Sequence, residues 1–251
     1  MVLLEELKNA ALAAPFFRGC CRPPQCHNAG RRNDLATCAL CETRKEKRYC
    51  LAVHGRICPQ CCGEQREIRL DCPSECVYLQ QSRQHERPRP MTDLDREALF
   101  PDVNIEETFL YQHENLLLGL SFALAKSARA NRALADPDLI AGLTALGKTY
   151  QTLAQSGLHY EAAVPNPAQQ AVAEEMKQML AEFRQVEQQH AGHSPVRDSD
   201  ILRGIVFLTR MAHGRTSGRP KSRAFVDFLF QQFPAKAPAA GEATGSSLII
   251  P

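Results

Sequence analysis

Cysteine is the residue type whose number and placement most directly predict chemistry in this chain. The sequence of 251 residues contains 11 cysteines, and all of them fall within the stretch from Cys20 to Cys76. A secreted protein held by disulfides usually spreads an even number of cysteines over its fold. Clustered thiols in a reducing compartment are instead typical of metal ligands. The sequence therefore predicts metal binding in its amino-terminal third and a cytoplasmic location.

Two pairs of cysteines have the spacing of a tetrahedral zinc site. Two residues separate Cys38 from Cys41 and Cys58 from Cys61, and 16 residues lie between the pairs. Cysteines at this spacing form a turn that presents both thiolates to one ion, and the interval between the pairs is usual for such sites. We assign these four cysteines to a first zinc site, with iron as the alternative occupant.

The run Cys58-Pro59-Gln60-Cys61-Cys62-Gly63 resembles the CPxCG turn of zinc ribbons and rubredoxins, with one cysteine inserted. The resemblance covers only these few residues. It implies coordination of a metal and no particular activity.

The remaining cysteines of the region predict a second site. Cys72 and Cys76 supply two ligands, and Cys50 with His54 supplies two more; Cys62 is a substitute for His54. Because the ligand pairs of the two sites alternate along the chain, the ions would interlock as in the cross-brace of RING domains. The RING spacing itself is absent, so ubiquitin-ligase activity is not inferred. Two structural zinc ions are the resulting prediction.

The cysteine-rich region has too few bulky aliphatic side chains to fold alone. Between residues 38 and 76 they are Leu40, Leu51, Val53, Ile57, Ile68 and Leu70. In finger peptides, structural zinc contributes an apparent binding free energy of ~10–16 kcal/mol. This free energy can replace the stabilisation that a larger core would provide. Upstream, a third site is the alternative to free thiols for Cys20, Cys21, Cys26 and His27. Because adjacent cysteines suit one tetrahedral ion poorly, we expect free thiols there.

The rest of the chain has the periodicity of a helical bundle. Apolar residues recur at intervals of three and four, as in the run Val172, Met176, Met179, Phe183 and Val186. Asp136 is expected to cap one helix and Gly157 to end it. We predict an α-dominated, two-part fold. Its segments are a short helix or extension (1–17), a zinc-ribbon or cross-brace-like cysteine-rich module with little regular structure (18–81), a linker (82–103), a bundle of four to five helices (104–233) and a disordered tail (234–251).

Basic residues form two local groups although the net charge is only +2. The candidate phosphate contacts are Arg44, Lys45, Lys47 and Arg48 in the cysteine-rich region and Arg215, Arg219, Lys221 and Arg223 near the end of the bundle. The run Gly218-Arg219-Pro220-Lys221 resembles the core of an AT-hook, but a loop between two helices explains the same glycine and proline. The small net charge excludes a uniformly basic nucleic-acid coat.

These observations favour a non-enzymatic, zinc-binding interaction or regulatory protein. Metal would fold the finger, and the bundle would bind a protein partner. No apolar stretch approaches the roughly 20 residues of a membrane span, and no contiguous nucleotide-binding or hydrolase motif occurs. The alternatives are a nucleic-acid-binding zinc-finger protein, a metal or redox enzyme with a site near His113, Glu187 and His190, and a thiol redox sensor using Cys20, Cys21, Cys26 and Cys62.

Overall fold

Eight helices and a two-stranded antiparallel sheet make up the described part of the chain. A computed structural model describes residues 36–86, 99–164, 166–191 and 196–234. In chain order the elements are β1 (Arg48–Cys50), β2 (Gly55–Ile57), α1 (Pro59–Gln65), α2 (Val77–His85), α3 (Glu107–Gln112), α4 (Glu114–Ala130), α5 (Asp136–Ser156), α6 (Pro167–Ala191), α7 (Asp198–Arg215) and α8 (Ala224–Gln232). The predicted predominance of helix is confirmed. The predicted segment 1–17 and nearly all of the predicted tail lie outside the described residues. None of the helices in the described ranges is both long and apolar enough to cross a lipid bilayer.

The five helices from α4 to α8 share one apolar core. Helix α5 packs against α6 and α7, and α4 packs against α6 and α8. Leu139 and Leu143 of α5 are fully buried, because residues four apart lie on one face of a helix. The apolar stripe of α6 is buried at Val172 and Met176, whereas Val186 is 52% exposed.

The chain leaves helical geometry at His113. The helical spacing of apolar residues from Ile105 to Leu124 predicts a first helix from about residue 104, but the structure divides this stretch into two helices, α3 and α4. The backbone of His113 has φ −116° and ψ 30°, and its ring lies 4.7 Å from that of Phe109. Phe109 and Leu116 are both buried. Since apolar spacing continues across the break, periodicity alone does not reveal it.

The two ends of α5 are fixed by different devices. Ala135, not Asp136, occupies the N-cap position, and the Ala135 N–H donates to Asp138 Oδ2 at 3.1 Å. The prediction that Asp136 caps this helix is therefore wrong. At the other end, Gly157 has φ +70° and donates its N–H to the carbonyl of Leu153. Glycine adopts this left-handed conformation without a steric penalty, so the helix ends where the sequence predicts.

The buried carboxylate of Asp136 joins the start of α5 to the start of α8. Its oxygens accept hydrogen bonds from Ser222 Oγ at 2.7 Å and from the backbone N–H groups of Phe225 and Val226 at 3.1 Å. The N–H groups of a first helical turn have no partner within their own helix. Asp136 satisfies two of them from another helix and thereby fixes how α8 packs.

Gly147 makes room for the ring of Phe100. A Cβ atom at position 147 would lie 2.6 Å from Cζ of Phe100, which is itself buried. We expect Gly147→Ala to lower the free energy of unfolding by roughly 1–3 kcal/mol through overpacking. Gly214→Ala is the control, because nothing lies within 4 Å of a Cβ there and alanine favours helix by up to ~1 kcal/mol. Denaturant unfolding measures both, and equal midpoints for the two variants would contradict this packing.

The cysteine-rich part has a small buried cluster of its own. It contains the side chains of several cysteines together with Ile57 and Leu70. Residues 82–85, within the predicted linker, form the last part of α2. Leu99 and Phe100, in the same predicted linker, are buried, and Phe100 packs with residues of α7.

Candidate metal centre

Four cysteine side chains converge at the N-terminal end of α1. The ligand atoms of Cys38, Cys41, Cys58 and Cys61 all lie within 4.8 Å of one another, and all four residues are free thiols. Cys38, Cys58 and Cys61 are at most 3% exposed. Sulfurs at about 2.3 Å from one tetrahedral ion are about 3.8 Å apart, so the cluster is close to the size that binding requires. The structure brings together the four cysteines of the first predicted site.

Each cysteine pair lies in a turn that directs a backbone N–H at a sulfur. The N–H of Leu40 lies 3.5 Å from Cys38 Sγ. Cys58 is the N-cap residue of α1, and its Sγ accepts the N–H of Cys61 at 3.3 Å. Pro59 suits the first helical position, because a residue there has no intrahelical partner for an N–H. Such donors stabilise a thiolate and orient it as a ligand.

The β-hairpin brings the two turns together. The Ala39 N–H donates to the Arg56 carbonyl at 3.0 Å, and the Lys47 N–H donates to the Ile57 carbonyl at the same distance. Ile57 is fully buried, ends β2 and immediately precedes Cys58. The 16 residues between the cysteine pairs therefore fold back on themselves and place both pairs around one point.

Hydrogen bonds shift the pKa values of Cys41 and Cys61 in opposite directions. Hydrogen bonds from the Thr43 side chain and from the Thr43 and Arg44 backbone lower the pKa of Cys41 to about 5. A hydrogen bond to Cys58 keeps the Cys61 thiol protonated and raises its pKa to about 12. A divalent ion must displace the protons that remain, so its binding releases protons and weakens as the pH falls.

Arg44 lies against the cysteine cluster. Its Nη1 is 3.9 Å from Sγ of both Cys58 and Cys61, and the hydrogen bond to Cys58 raises the pKa of Arg44. The complex of Zn²⁺ with four thiolates has a net charge of −2, and a guanidinium beside the sulfurs offsets one of these charges. The sequence offers Arg44 only as a candidate phosphate contact. Its position three residues after Cys41 is the signal that points to the cluster instead.

The residues predicted for a second site lie near one another without forming a comparable cluster. Cys50 and Cys62 are buried in the same apolar cluster, with Cys72 packed against it. Cys76 is the N-cap residue of α2, and His54 is exposed, with φ +48°. Burial raises the pKa of Cys72, although its sulfur accepts the backbone N–H of Glu67. Among the described residues, no three of these candidate ligands come as close together as the first four do.

No protein-family model, no curated protein and no solved structure matches this chain. The chemistry of the centre therefore follows from its own donor atoms. Four cysteine sulfurs form a soft, anionic donor set, which favours zinc or iron over hard cations such as Mg²⁺ and Ca²⁺. The donor set is consistent with a metal-binding module.

The first group of basic residues lies on the surface of the cysteine-rich part. Lys45 and Lys47 are exposed. The guanidinium of Arg48 lies 4.6 Å from the centre of the Tyr78 ring, a cation–π distance. Together with Arg44, this group therefore contains two exposed lysines and two arginines that contact other groups of the protein.

The second group of basic residues contacts the protein itself. Its members are Arg215, Arg219, Lys221 and Arg223, at the end of α7 and in the loop from Thr216 to Arg223 that leads to α8. The guanidinium of Arg215 lies 3.6 Å from the ring centre of Phe228. The other three side chains donate hydrogen bonds to backbone carbonyls, such as those of residues 66, 69 and 134.

The residues of the alternative enzymatic site are divided between the α3–α4 junction, which holds His113, and α6, which holds Glu187 and His190. Neither His113 nor Glu187 belongs to a metal-type cluster in the described part of the chain. The side chain of His190, and all of Cys20, Cys21, Cys26 and His27, lie outside the described residues.

Proposed function

We propose that this protein binds Zn²⁺ as a structural metal at Cys38, Cys41, Cys58 and Cys61, and that it acts as a non-enzymatic interaction or regulatory protein. The observation that carries the proposal is the convergence of these four sulfurs within 4.8 Å. Four protein ligands complete a tetrahedron, whereas catalytic zinc usually has three and keeps one position for water or substrate. Burial of three of the four cysteines also suits a structural ion.

The small core of the cysteine-rich part supports a folding role for the metal. Its buried residues other than cysteine are Ile57 and Leu70, far fewer than a segment of this length needs to fold on its own. Metal binding is therefore expected to supply most of the folding free energy of the segment. The separate apolar clusters of the two regions support a two-part architecture, with a cysteine-rich module over 18–81 and a helical bundle over 104–233.

A second Zn²⁺ completes the proposal, with Cys50, His54, Cys72 and Cys76 as ligands and Cys62 as the substitute for His54. Support comes from the burial of Cys50 and Cys62 in one cluster and from the backbone N–H that the Cys72 sulfur accepts. Since these candidate ligands lie farther apart than the first four, binding would have to draw them together. The thiols that such sites need persist in a reducing compartment such as the cytoplasm.

A protein is the partner we propose for this molecule. Large apolar side chains are about half exposed on both parts, Tyr49 and Val77 on the cysteine-rich part and Phe122 on α4. Aromatic side chains are frequent anchors in protein interfaces. A nucleic-acid partner is less favoured, because Arg219 and Lys221 already donate to carbonyls of this chain.

Native mass spectrometry with elemental analysis tests the metal assignment. We expect two zinc ions per chain, at least one of which is lost in Cys38→Ala/Cys41→Ala. The matched pair Cys72→Ala/Cys76→Ala is expected to retain the ion of the first centre. One ion in the parent protein would refute the second site, and a parent protein without stoichiometric metal would refute the whole proposal. Strong visible absorption would identify iron in place of zinc.

A further inference from the structure

A network of polar groups around one buried carboxylate connects the cysteine-rich part to α8 and to the loop between α7 and α8. We call Glu67, Arg83, Ser217 and Asp227 the Glu67 network. The carboxylate of Glu67, whose residue is 1% exposed, accepts hydrogen bonds from Arg83 Nη2 at 3.1 Å and from Ser217 Oγ at 2.8 Å. Arg83 also donates to Asp227 Oδ2 at 2.7 Å. Groups from both parts therefore satisfy one buried carboxylate.

The same loop also binds the backbone that follows α1. The Lys221 N–H donates to the Glu67 carbonyl at 2.8 Å, and the Arg219 guanidinium donates to the Arg66 carbonyl at 2.9 Å. The Lys221 side chain donates to the carbonyl of Arg69 at 3.1 Å. Three successive hydrogen bonds thus join residues 216–223 to the chain segment 66–69.

The position of this segment depends on α1, whose N-cap residue Cys58 and first turn, at Cys61, supply two of the four sulfurs. Helix α1 has only seven residues, and isolated helices that short are unstable in water. Its first turn is fixed by Cys58 and Cys61, and Glu67 follows its end with φ +52°. A non-glycine residue adopts this left-handed conformation only where its surroundings hold it. The metal centre and the Glu67 network are therefore the two attachments of one short segment.

We propose that metal occupancy of the four-cysteine centre and packing of the loop 216–223 are thermodynamically coupled. This inference rests on the proposed metal function and adds its regulation. Bound metal holds α1, which presents the carbonyls and the Glu67 carboxylate to the loop. By linkage, the free energy by which bound metal stabilises packing of the loop equals the free energy by which packing of the loop strengthens metal binding. A change at Ser217, in the helical part, thus alters binding at cysteines far away in sequence.

The experiment uses the full chain, Zn²⁺ with a competing chelator, and hydrogen exchange. We expect Glu67→Gln to weaken Zn²⁺ binding about tenfold, within the range usual for coupled sites. Glu64→Gln is its control, because Glu64 is an exposed residue of α1 that bonds only Gln60 among the interactions described. Removal of Zn²⁺ is expected to accelerate amide exchange in residues 216–223 of the parent protein.

Ser217→Ala tests the coupling without altering the cysteine-rich part. It removes one hydrogen bond to Glu67 and is expected to weaken Zn²⁺ binding several-fold, whereas the exposed Ser156→Ala is expected to leave the affinity unchanged. If the parent protein binds no Zn²⁺, the proposed function fails. If it binds Zn²⁺ but both network variants keep the parent affinity and exchange in 216–223 is independent of Zn²⁺, the coupling is overturned and the metal site stands.

Discussion

Cys61→Ser is expected to weaken Zn²⁺ binding at the first metal centre by about 100-fold and to destabilise the cysteine-rich part. Four thiolates share an apparent ~10–16 kcal/mol of zinc-binding free energy, so the loss of one costs about 3 kcal/mol, or about 100-fold in affinity. The small core around Ile57 and Leu70 cannot compensate for this loss. Zinc competition with a chelator measures the affinity, and hydrogen exchange over residues 36–66 measures the destabilisation.

Cys62→Ser is the matched control for this experiment. Cys62 is the next residue of α1 and is also buried, but it is not one of the four converging cysteines. Affinity at the first centre should stay within a few-fold of the parent. Loss of a second ion in this variant alone would identify Cys62 as the substitute ligand. Equal loss of the first ion in both variants would contradict the assigned ligand set.

Asp136→Ala is expected to lower the free energy of unfolding of the helical part by about 3 kcal/mol. The substitution removes an acceptor of three hydrogen bonds and leaves two N–H groups of α8 buried without a partner, and each bond to a charged group is worth roughly 1.5–3 kcal/mol. Asp138→Ala, two residues further along α5, is the control, because loss of a capping interaction costs about 1 kcal/mol. Urea unfolding followed by circular dichroism compares them, and equal destabilisation would contradict the special role of Asp136.

The contribution of Asp136 to the free energy of unfolding depends on pH in a definite direction. Burial raises the pKa of its carboxyl group in the folded protein, although Ser222 and the α8 N–H groups act in the opposite direction. A raised folded-state pKa means that the protonated form favours folding. This contribution is complete below the unfolded-state pKa and is lost as the pH rises through the folded-state value. The stability of the parent protein relative to Asp136→Asn should therefore decrease as the pH rises above about 4; a constant difference in urea unfolding would contradict it.

The four-cysteine centre was predictable because its determinants are local. The turns at Cys38 and Cys58 each depend on a few adjacent residues, and their spacing encodes the geometry directly. The helical periodicity likewise predicted the buried face that contains Leu139 and Leu143. In both cases a fixed spacing along the sequence places side chains on the same side of a turn or helix.

Contacts between distant parts of the chain left no such pattern. Glu67 and Ser217 are 150 residues apart, and nothing in either local sequence indicates that they meet. Asp136 followed by proline matches the start of a helix, yet Asp138 bonds the Ala135 N–H and the Asp136 carboxylate bonds the N–H groups of α8. The basic run around Arg219 likewise resembled a phosphate-binding segment. The carbonyl groups to which it donates lie far away in sequence, so the local sequence does not reveal them.

The separation between Glu67 and Ser217 sets an order of events during synthesis. The ligands of the first centre all lie between residues 38 and 61, so they leave the ribosome together. At ~5–20 residues per second, the loop that contacts Glu67 is made roughly 8–30 s later. A zinc ion that binds the nascent chain would therefore have to hold the cysteine-rich part without the loop, and the helical bundle would attach afterwards.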